Sequence, residues 1–127
     1  MRRIGKVMKI AVTSTGKESA SAMDARFGRT RWFMVADSET GMWEAHANEQ
    51  NMNAAQGAGI QAAQLLVNLG VEAVITGHVG PKAFRTLKAA GVNIYLSEAA
   101  TVEEALRLFK DNRLPRADEA TVEGHWS

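Results

Sequence analysis

The chain has 127 residues, of which 46% are hydrophobic and 23% charged, and its formal net charge is +1. This mixture is typical of one soluble globular domain, and so small a net charge excludes a global field that would recruit nucleic acid. The chain has no cysteine, which excludes disulfides and thiolate metal sites, and no apolar run approaches the roughly 20 residues of a membrane-spanning helix. We therefore expect one cytoplasmic, monomeric domain without membrane or nucleic-acid partners.

Three β-strands are predicted in the N-terminal half of the chain. Residues 7–13 form a short β-rich run, and residues 31–37 and 42–47 are separated by a glycine-containing connection that is typical of an antiparallel hairpin. Residues 14–30 are small and polar without periodicity, which predicts a long mobile loop. Residues 1–7 are interpreted as an N-terminal extension that can be disordered.

Helices and strands alternate in the C-terminal half. The predicted elements are a helix over 54–70, a strand over 71–76, a helix from Pro81 to Gly91, a strand over 92–96, and a helix opened by the capping box Thr101–Glu104. The order βββαβαβα predicts an α/β fold with a mixed five-stranded sheet, in which strands 1–3 are antiparallel and helices form the crossovers. The domain is expected to cover 8–114, with a flexible tail over 115–127.

Three segments are expected to meet at the carboxyl ends of the parallel strands, where ligands bind in such sheets. They are the loop after strand one, the helix start at 56–59, and Gly77–Gly80. Glycine-rich helix N-termini expose backbone N–H groups at the positive end of the helix dipole, and Arg26 and Arg29 add fixed positive charge. Taken singly, a glycine-rich helix start is equally compatible with a tight turn, and an arginine in a loop is usually solvated. The predicted anion site therefore depends on the convergence of these features.

Histidine and methionine side chains are the candidate metal ligands. His78, between a strand and a helix, fits either a ligand contact or a turn histidine bonded to backbone. Met52 and Met23 flank the predicted site with thioether sulfurs that suit copper(I), although methionine more often serves packing. His46 is interpreted as structural or exposed, and His125 as part of the tail.

Signatures of common enzyme classes are absent. The sequence contains no H-E-x-x-H, Walker or G-x-S-x-G motif. The predicted sheet is similar to the ribonuclease H architecture, whose nucleases bind two metal ions with clustered carboxylates. Strand one carries no acid, however, and the fourth strand ends in Thr76-Gly77-His78, which argues against a nuclease.

Three short motifs carry a family resemblance: Arg26-Phe27-Gly28 before the second strand, Gly57-Ala58-Gly59 at a helix start, and Gly77 with Gly80-Pro81. Together with a likeness from about Met8 to Leu114, they resemble the dinitrogenase iron–molybdenum cofactor biosynthesis family. That family includes NifX-like carriers, the C-terminal domain of NifB and the orange proteins, and the chain looks most like the orange-protein subgroup.

The resemblance implies a ribonuclease H-like fold and a non-enzymatic role in nitrogen-fixation-type metallocluster biosynthesis. The implied cargo is an anionic metal–sulfur cluster, either a molybdenum–copper sulfide or an iron–molybdenum cofactor precursor. In this interpretation Arg26 and Arg29 neutralise the cargo and residues 15–25 order around it. Backbone approach at Gly28, Gly57, Gly59 and Gly80 and direct contacts from His78 and Met52 complete the implied site.

Two other classes of function stay open. A small enzyme or sensor could bind a phosphate or nucleotide in the same cradle, and it would show turnover or affinity for phosphorylated compounds. An interaction module could dock onto an ATPase or another cluster-receiving protein. That module would need an exposed apolar patch, for which Trp43 and Trp126 are the candidates.

Overall fold

A computed structural model of the protein describes residues 8–48 and 58–120. Within these ranges the elements are β1 (Lys9–Ser14), β2 (Trp32–Asp37), β3 (Trp43–Ala47), α1 (Ala58–Asn68), β4 (Ala73–Thr76), α2 (Pro81–Ala89), β5 (Asn93–Leu96) and α3 (Val102–Lys110). Their order is the predicted one. None of the three helices in these ranges is long and apolar enough to cross a membrane.

The strands form one mixed sheet in the order β3-β2-β1-β4-β5. Strand β2 is antiparallel to both β1 and β3, whereas β4 is parallel to both β1 and β5. The predicted α/β class and the antiparallel arrangement of strands 1–3 are confirmed. The assignment to a ribonuclease H-like fold stays a prediction.

Each face of the sheet is covered by helices, which gives the domain two apolar cores. One core lies under α1 and α2 and contains Phe27, Phe33 and Leu66, while the other lies under α3 and contains Ile10 and Ile75. Strand β1 is central and buried on both faces over five of its six residues. This explains why its sequence is an apolar run rather than an alternation of apolar and polar residues.

Glycines end α1 and α2, as the sequence pattern predicts. Gly70 and Gly91 have φ values of 80° and 81°, in the left-handed region that side chains with a Cβ seldom adopt. The residue after each glycine donates its N–H back to the helix, from Val71 to Leu66 O and from Val92 to Leu87 O. Both helices are thereby closed directly in front of β4 and β5.

The segment 15–31 between β1 and β2 differs from the prediction of a long mobile loop. Its backbone hydrogen bonds to three separate elements: Asp24 N–H to Thr13 O in β1, Met23 N–H to Ala100 O before α3, and Phe27 N–H to His78 O after β4. The ring of Phe27 is buried against Phe33, with 5.4 Å between centroids. The prediction was wrong because a segment without periodicity can still be fixed by acceptors in neighbouring strands.

Hydrogen bonding also extends past Leu114, where the sequence pattern placed the end of the ordered chain. Leu96 N–H donates to Pro115 O at 3.0 Å, and Ala117 N–H donates to Ile94 O at 2.8 Å. Ala117 is buried. This segment therefore covers the outer edge of β5, which leaves no open edge along that part of the strand.

Candidate functional site

Buried polar residues gather at one edge of the sheet, where the parallel strands β1, β4 and β5 end. Among the described residues, the buried polar or charged ones are Thr13, Ser14, Asp24, Thr30, Asn48, Thr76 and Ser97. Each lies at the carboxyl end of β1, β3, β4 or β5, or in the segment that joins β1 to β2. Buried polar groups in proteins are almost always hydrogen-bonded, so we expect a hydrogen-bond network at this edge of the sheet.

Asn48 and Thr30 hold the backbone of residues 26–31, which we call the arginine segment. The side-chain amide of Asn48 donates to Thr30 O at 2.8 Å and to Gly28 O at 3.3 Å, and its backbone N–H donates to Arg31 O at 2.9 Å. The hydroxyl of Thr30 accepts the N–H of Ser14 at 3.0 Å. The backbone of residues 28–31 is therefore held against the end of β1. Arg26, Arg29 and Arg31 are exposed.

The same segment pairs with the chain that leaves β4. Arg26 and His78 form an isolated parallel bridge, in which His78 N–H donates to Ala25 O at 2.7 Å. A Cβ on Gly77 would lie 2.9 Å from both the Cβ and the carbonyl oxygen of Ala25. Only glycine allows this approach, so Gly77 is required for the pairing that brings Arg26 beside His78.

Three segments then converge on a small cavity. A Cβ on Gly28 would lie 3.0 Å from Gly59 Cα, and one on Gly59 would lie 3.2 Å from Ala83 Cβ. The arginine segment, α1 and α2 are therefore in direct contact through residues that have little or no side chain. Beside this contact lies a cavity of about 280 Å³, lined by Phe27, Gly28, Gly59, Ile60, Gly80, Pro81, Lys82 and Ala83.

The N-terminus of α2 borders this cavity and is not capped by any side chain. Gly80 occupies the N-cap position, Pro81 follows it, and the first turn contains no acidic residue. The first N–H groups of a helix have no acceptor inside the helix. Those of Lys82 and Ala83 have no acceptor elsewhere among the described residues either. Two backbone donors and the positive end of the helix dipole therefore belong to residues that line the cavity, and both features stabilise an anion nearby.

Asp24 changes the electrostatics that the arginines alone suggest. Its carboxylate accepts the backbone N–H of Arg26 at 2.9 Å and lies 3.4 Å from Arg26 Nε. The Arg26 side chain is 63% exposed, whereas that of Asp24 is 9% exposed. Asp24 therefore holds the Nε end of the Arg26 guanidinium and partly offsets its charge, while most of the Arg26 side chain stays exposed.

The structure brings together most of the residues that the sequence assigns to the site. Gly28, Gly59 and Gly80 line the cavity. Arg26 pairs with His78 and precedes the cavity residue Phe27, and Arg29 follows Gly28 with an exposed side chain. Two further assigned residues, Met52 and Gly57, lie outside the described residues.

Other candidates from the sequence serve local packing or pairing. Met23 packs into the core under α3, and the ring of His46 lies 3.2 Å from Glu44 Oε1 in β3. The described ranges contain no group of three metal-ligating side chains.

Four residues at the site were missed by sequence reasoning. Asp24 and Asn48 each hydrogen bond to backbone nearby, and a general signal exists for Asp24, since Asp and Asn often bond to the N–H two residues later. The hydroxyl of Thr13 bonds to Asp24 O and, at 3.1 Å, to Thr76 Oγ1. Lys82 was also missed, although its place directly after Gly80-Pro81 puts a cation in the first turn of α2.

Comparison with known proteins assigns the chain to a family. The family model described as dinitrogenase iron–molybdenum cofactor matches residues 8–112. The chain belongs to this family. The match covers all five strands and all three helices of the described structure, so the family assignment applies to the whole fold.

Solved structures and a curated relative agree with this assignment. The apo form of the orange protein from Desulfovibrio gigas is 39% identical with a TM-score of 0.87, over 90% of this chain and 96% of that one. A NifB-like protein from Thermotoga is 40% identical with a TM-score of 0.81, over 92% of this chain and 99% of that one. An uncharacterized protein of Methanocaldococcus jannaschii is 30% identical over 87% of this chain and 92% of its own length. The resemblance to the NifX, NifB and orange-protein group is confirmed.

Proposed function

We propose that this dinitrogenase cofactor-family protein binds an anionic metal–sulfur cluster without covalent anchors and carries it during metallocluster assembly, as a carrier rather than an enzyme. The preferred cargo is a molybdenum–copper sulfide, and an iron–molybdenum cofactor precursor is the second candidate. The observation that carries the proposal is the uncapped N-terminus of α2, where the two residues with unbonded backbone N–H groups, Lys82 and Ala83, line a cavity next to the arginine segment.

The donor set fits a cluster that brings its own sulfides. The chain has no cysteine, and among the described residues no three His, Asp or Glu side chains are grouped to hold a metal ion. The cavity is lined instead by backbone, by apolar side chains and by Lys82. Because a single water needs only about 10–15 Å³ of such space, a cavity of about 280 Å³ has room for a small inorganic cluster.

Each part of the site has a separate task in this proposal. Arg26, Arg29 and Lys82 attract the anion, since guanidinium and ammonium groups bind anions by charge-assisted hydrogen bonds. The N–H groups of Lys82 and Ala83 hydrogen bond to it at close range, which the small residues around the cavity permit. His78, held beside Arg26, is the candidate for a direct contact with the metal.

Ordering of residues 15–25 is not part of the mechanism. The carbonyls of Ser19 and Ser21 already accept N–H groups from α3, at 2.8 and 2.9 Å. Binding therefore engages a preformed segment, which avoids the free-energy cost of ordering a loop.

Reconstitution with tetrathiomolybdate and copper(I) tests the proposal. After removal of unbound metal, elemental analysis and the visible absorption spectrum measure the retained cluster. We expect the wild-type protein to retain molybdenum and copper in a fixed ratio. We expect the double variant Arg26→Gln/Arg29→Gln to retain roughly tenfold less, because two charge-assisted contacts are lost.

A matched pair of cations on the opposite face of the sheet provides the control. The variant Arg107→Gln/Lys110→Gln removes the same amount of charge from the last turn of α3 and should retain as much cluster as the wild type. An equal loss of retained cluster in both double variants would mean that net charge, rather than the position of Arg26 and Arg29, determines binding. Absence of any retained cluster in the wild type, together with binding or turnover of a nucleotide, would replace the carrier with the phosphate-ligand alternative.

A further inference from the structure

Helix α2 carries a row of cations that no part of the described structure neutralises. Lys82, Arg85 and Lys88 recur every three residues and are exposed, and α2 contains no acid. Residues three apart in a helix are neighbours on its surface. None of the three forms an ion pair with another described residue. We call these three residues the basic row.

The elements beside α2 add no negative charge. Helix α1 and strand β5, which α2 packs against, contain no charged residue. Helix α3, on the other face of the sheet, has a balanced set: Glu103 and Glu104 in its first turn, and Arg107 and Lys110 in its last. There, Arg107 lies 4.0 Å from Glu104. The charged residues of α1, α2 and β5 are therefore the three cations of the basic row alone.

A groove of about 550 Å³ runs between α1 and α2 next to the basic row. Gln64 and Asn68 contribute amide groups from α1, and Arg85 and Thr86 contribute polar groups from α2. Ala89 and Ala90 line the rest of the α2 side, so a polypeptide backbone can approach that helix closely. Lys82, at the first end of the row, lines the smaller cavity assigned to the cluster.

We propose that this groove and the basic row bind an acidic segment of a partner protein, which holds that partner at the mouth of the cluster cavity. Carboxylates of the segment pair with Arg85 and Lys88, and its backbone hydrogen bonds to the amides of Gln64 and Asn68. The inference deepens the proposed function, because a carrier must meet the protein that supplies or receives its cargo.

The extent of the row favours protein over nucleic acid. At 1.5 Å per residue, three cations from position 82 to position 88 span about 9 Å, which is enough for only two or three phosphates. Affinity for nucleic acid at physiological salt depends on neutralising more phosphates than that. The groove also offers amide donors and acceptors that suit a peptide backbone.

Titration of isotopically labelled protein with a synthetic acidic peptide tests the proposal by NMR. The peptide is a short unstructured chain in which glutamate alternates with serine and glycine, so that its backbone is free to hydrogen bond, and its control carries glutamine in place of each glutamate. We expect amide shifts at Gln64, Asn68, Arg85 and Ala89, little response to the control peptide, and weaker binding at higher ionic strength.

Charge variants decide whether the basic row is responsible. Arg85→Gln/Lys88→Gln should weaken peptide binding roughly three- to tenfold, as expected for two exposed ion pairs, whereas Arg107→Gln/Lys110→Gln should not change it. Shifts confined to other faces, or equal affinity in both double variants, would overturn the proposal. So would tighter binding of a single-stranded oligonucleotide than of the peptide.

Cluster uptake separates this proposal from the function it extends. Neither Arg85 nor Lys88 lines the cluster cavity, so the Arg85→Gln/Lys88→Gln variant should take up cluster like the wild type. Peptide binding without cluster uptake would support the docking surface and refute the proposed carrier. Cluster uptake without peptide binding would support the carrier and refute the docking surface.

Discussion

Helices α2 and α3 both begin just beyond the carboxyl end of a parallel strand, and their first turns differ in every polar detail. In α3, Val102 and Glu103 donate their N–H groups to Ser21 O and Ser19 O, and Thr101 Oγ1 accepts from Glu104 at 3.2 Å. The Glu104 carboxylate returns to accept Ala100 N–H at 3.2 Å. In α2, by contrast, Gly80 supplies no side-chain cap and the first turn holds a lysine.

This difference identifies which end of which helix suits an external anion. The dipole of α3 is already opposed by two glutamates. Two of its first N–H groups donate to the segment 15–23 and a third donates to Thr101. The N-terminus of α2 borders a cavity that is lined by Lys82 and by Phe27 and Gly28, which follow Arg26 in the chain. One segment of chain therefore serves both helices: its first half caps α3, and its second half brings the arginines to α2.

Separating the arginine segment from the chain that joins β4 to α2 should have the largest effect. In Gly77→Ala the new methyl group would meet Ala25 at 2.9 Å, and such overpacking should lower the free energy of unfolding by about 2 kcal/mol. Urea denaturation measures the loss. Gly80→Ala, where a Cβ would meet no atom within 4 Å, is the matched control, and an equal loss there would contradict the close-contact explanation.

A side-chain cap on α2, like the one on α3, should raise the stability of the fold and lower its retention of the cluster. The variant Gly80→Asp has room for its side chain and supplies an acceptor for the free N–H groups, which should stabilise the fold by about 0.3 kcal/mol. Cluster retention should fall roughly tenfold, because a carboxylate then competes with the anion. The isosteric Gly80→Asn variant caps without charge, and unchanged retention in both variants would show that the α2 donors do not bind cargo.

Removing the cap of α3 should affect stability alone. Thr101→Ala deletes the hydroxyl that accepts Glu104 N–H, and the expected loss is about 1 kcal/mol in the free energy of unfolding. Thr101→Ser keeps the acceptor and should restore most of that loss. Reduced cluster retention in folded Thr101→Ala protein would mean that the two helix termini are not independent.

The smallest effect is expected for the exposed ion pair on α3. Arg107 and Glu104 are 4.0 Å apart, and their side chains are 65% and 40% exposed, so Arg107→Gln should change stability by about 0.3 kcal/mol or less. Thermal unfolding at low and high salt measures this. A larger change would disqualify Arg107 from the control variants used for the cluster and peptide experiments.

The fold was predictable because its signals are local. Gly70 and Gly91 mark helix ends, the capping box at Thr101 marks the start of α3, and the hairpin spacing marks β2 and β3. These features depend on residues a few positions apart. The order of elements then restricts the topology to few alternatives.

The polar contacts of the site were less predictable because they join residues that are distant in sequence. Asn48 supports Gly28 and Thr30 from the end of β3, and Ser19 and Ser21 serve α3 from more than 80 residues away. No spacing rule reports such contacts. Glycine indicates a close approach of backbone, so close contacts at Gly28, Gly59 and Gly77 could be predicted from the sequence. The residues that each of them contacts could not be predicted.

The most direct test of the central claim is an NMR titration of the labelled protein with tetrathiomolybdate that follows the backbone amides of α2 and α3 together. The account predicts that Lys82 and Ala83 shift at low anion concentration, while Val102, Glu103 and Glu104 stay in place because their N–H groups are already bonded. Equal shifts at both helix termini, or shifts at α3 without any at α2, would contradict it.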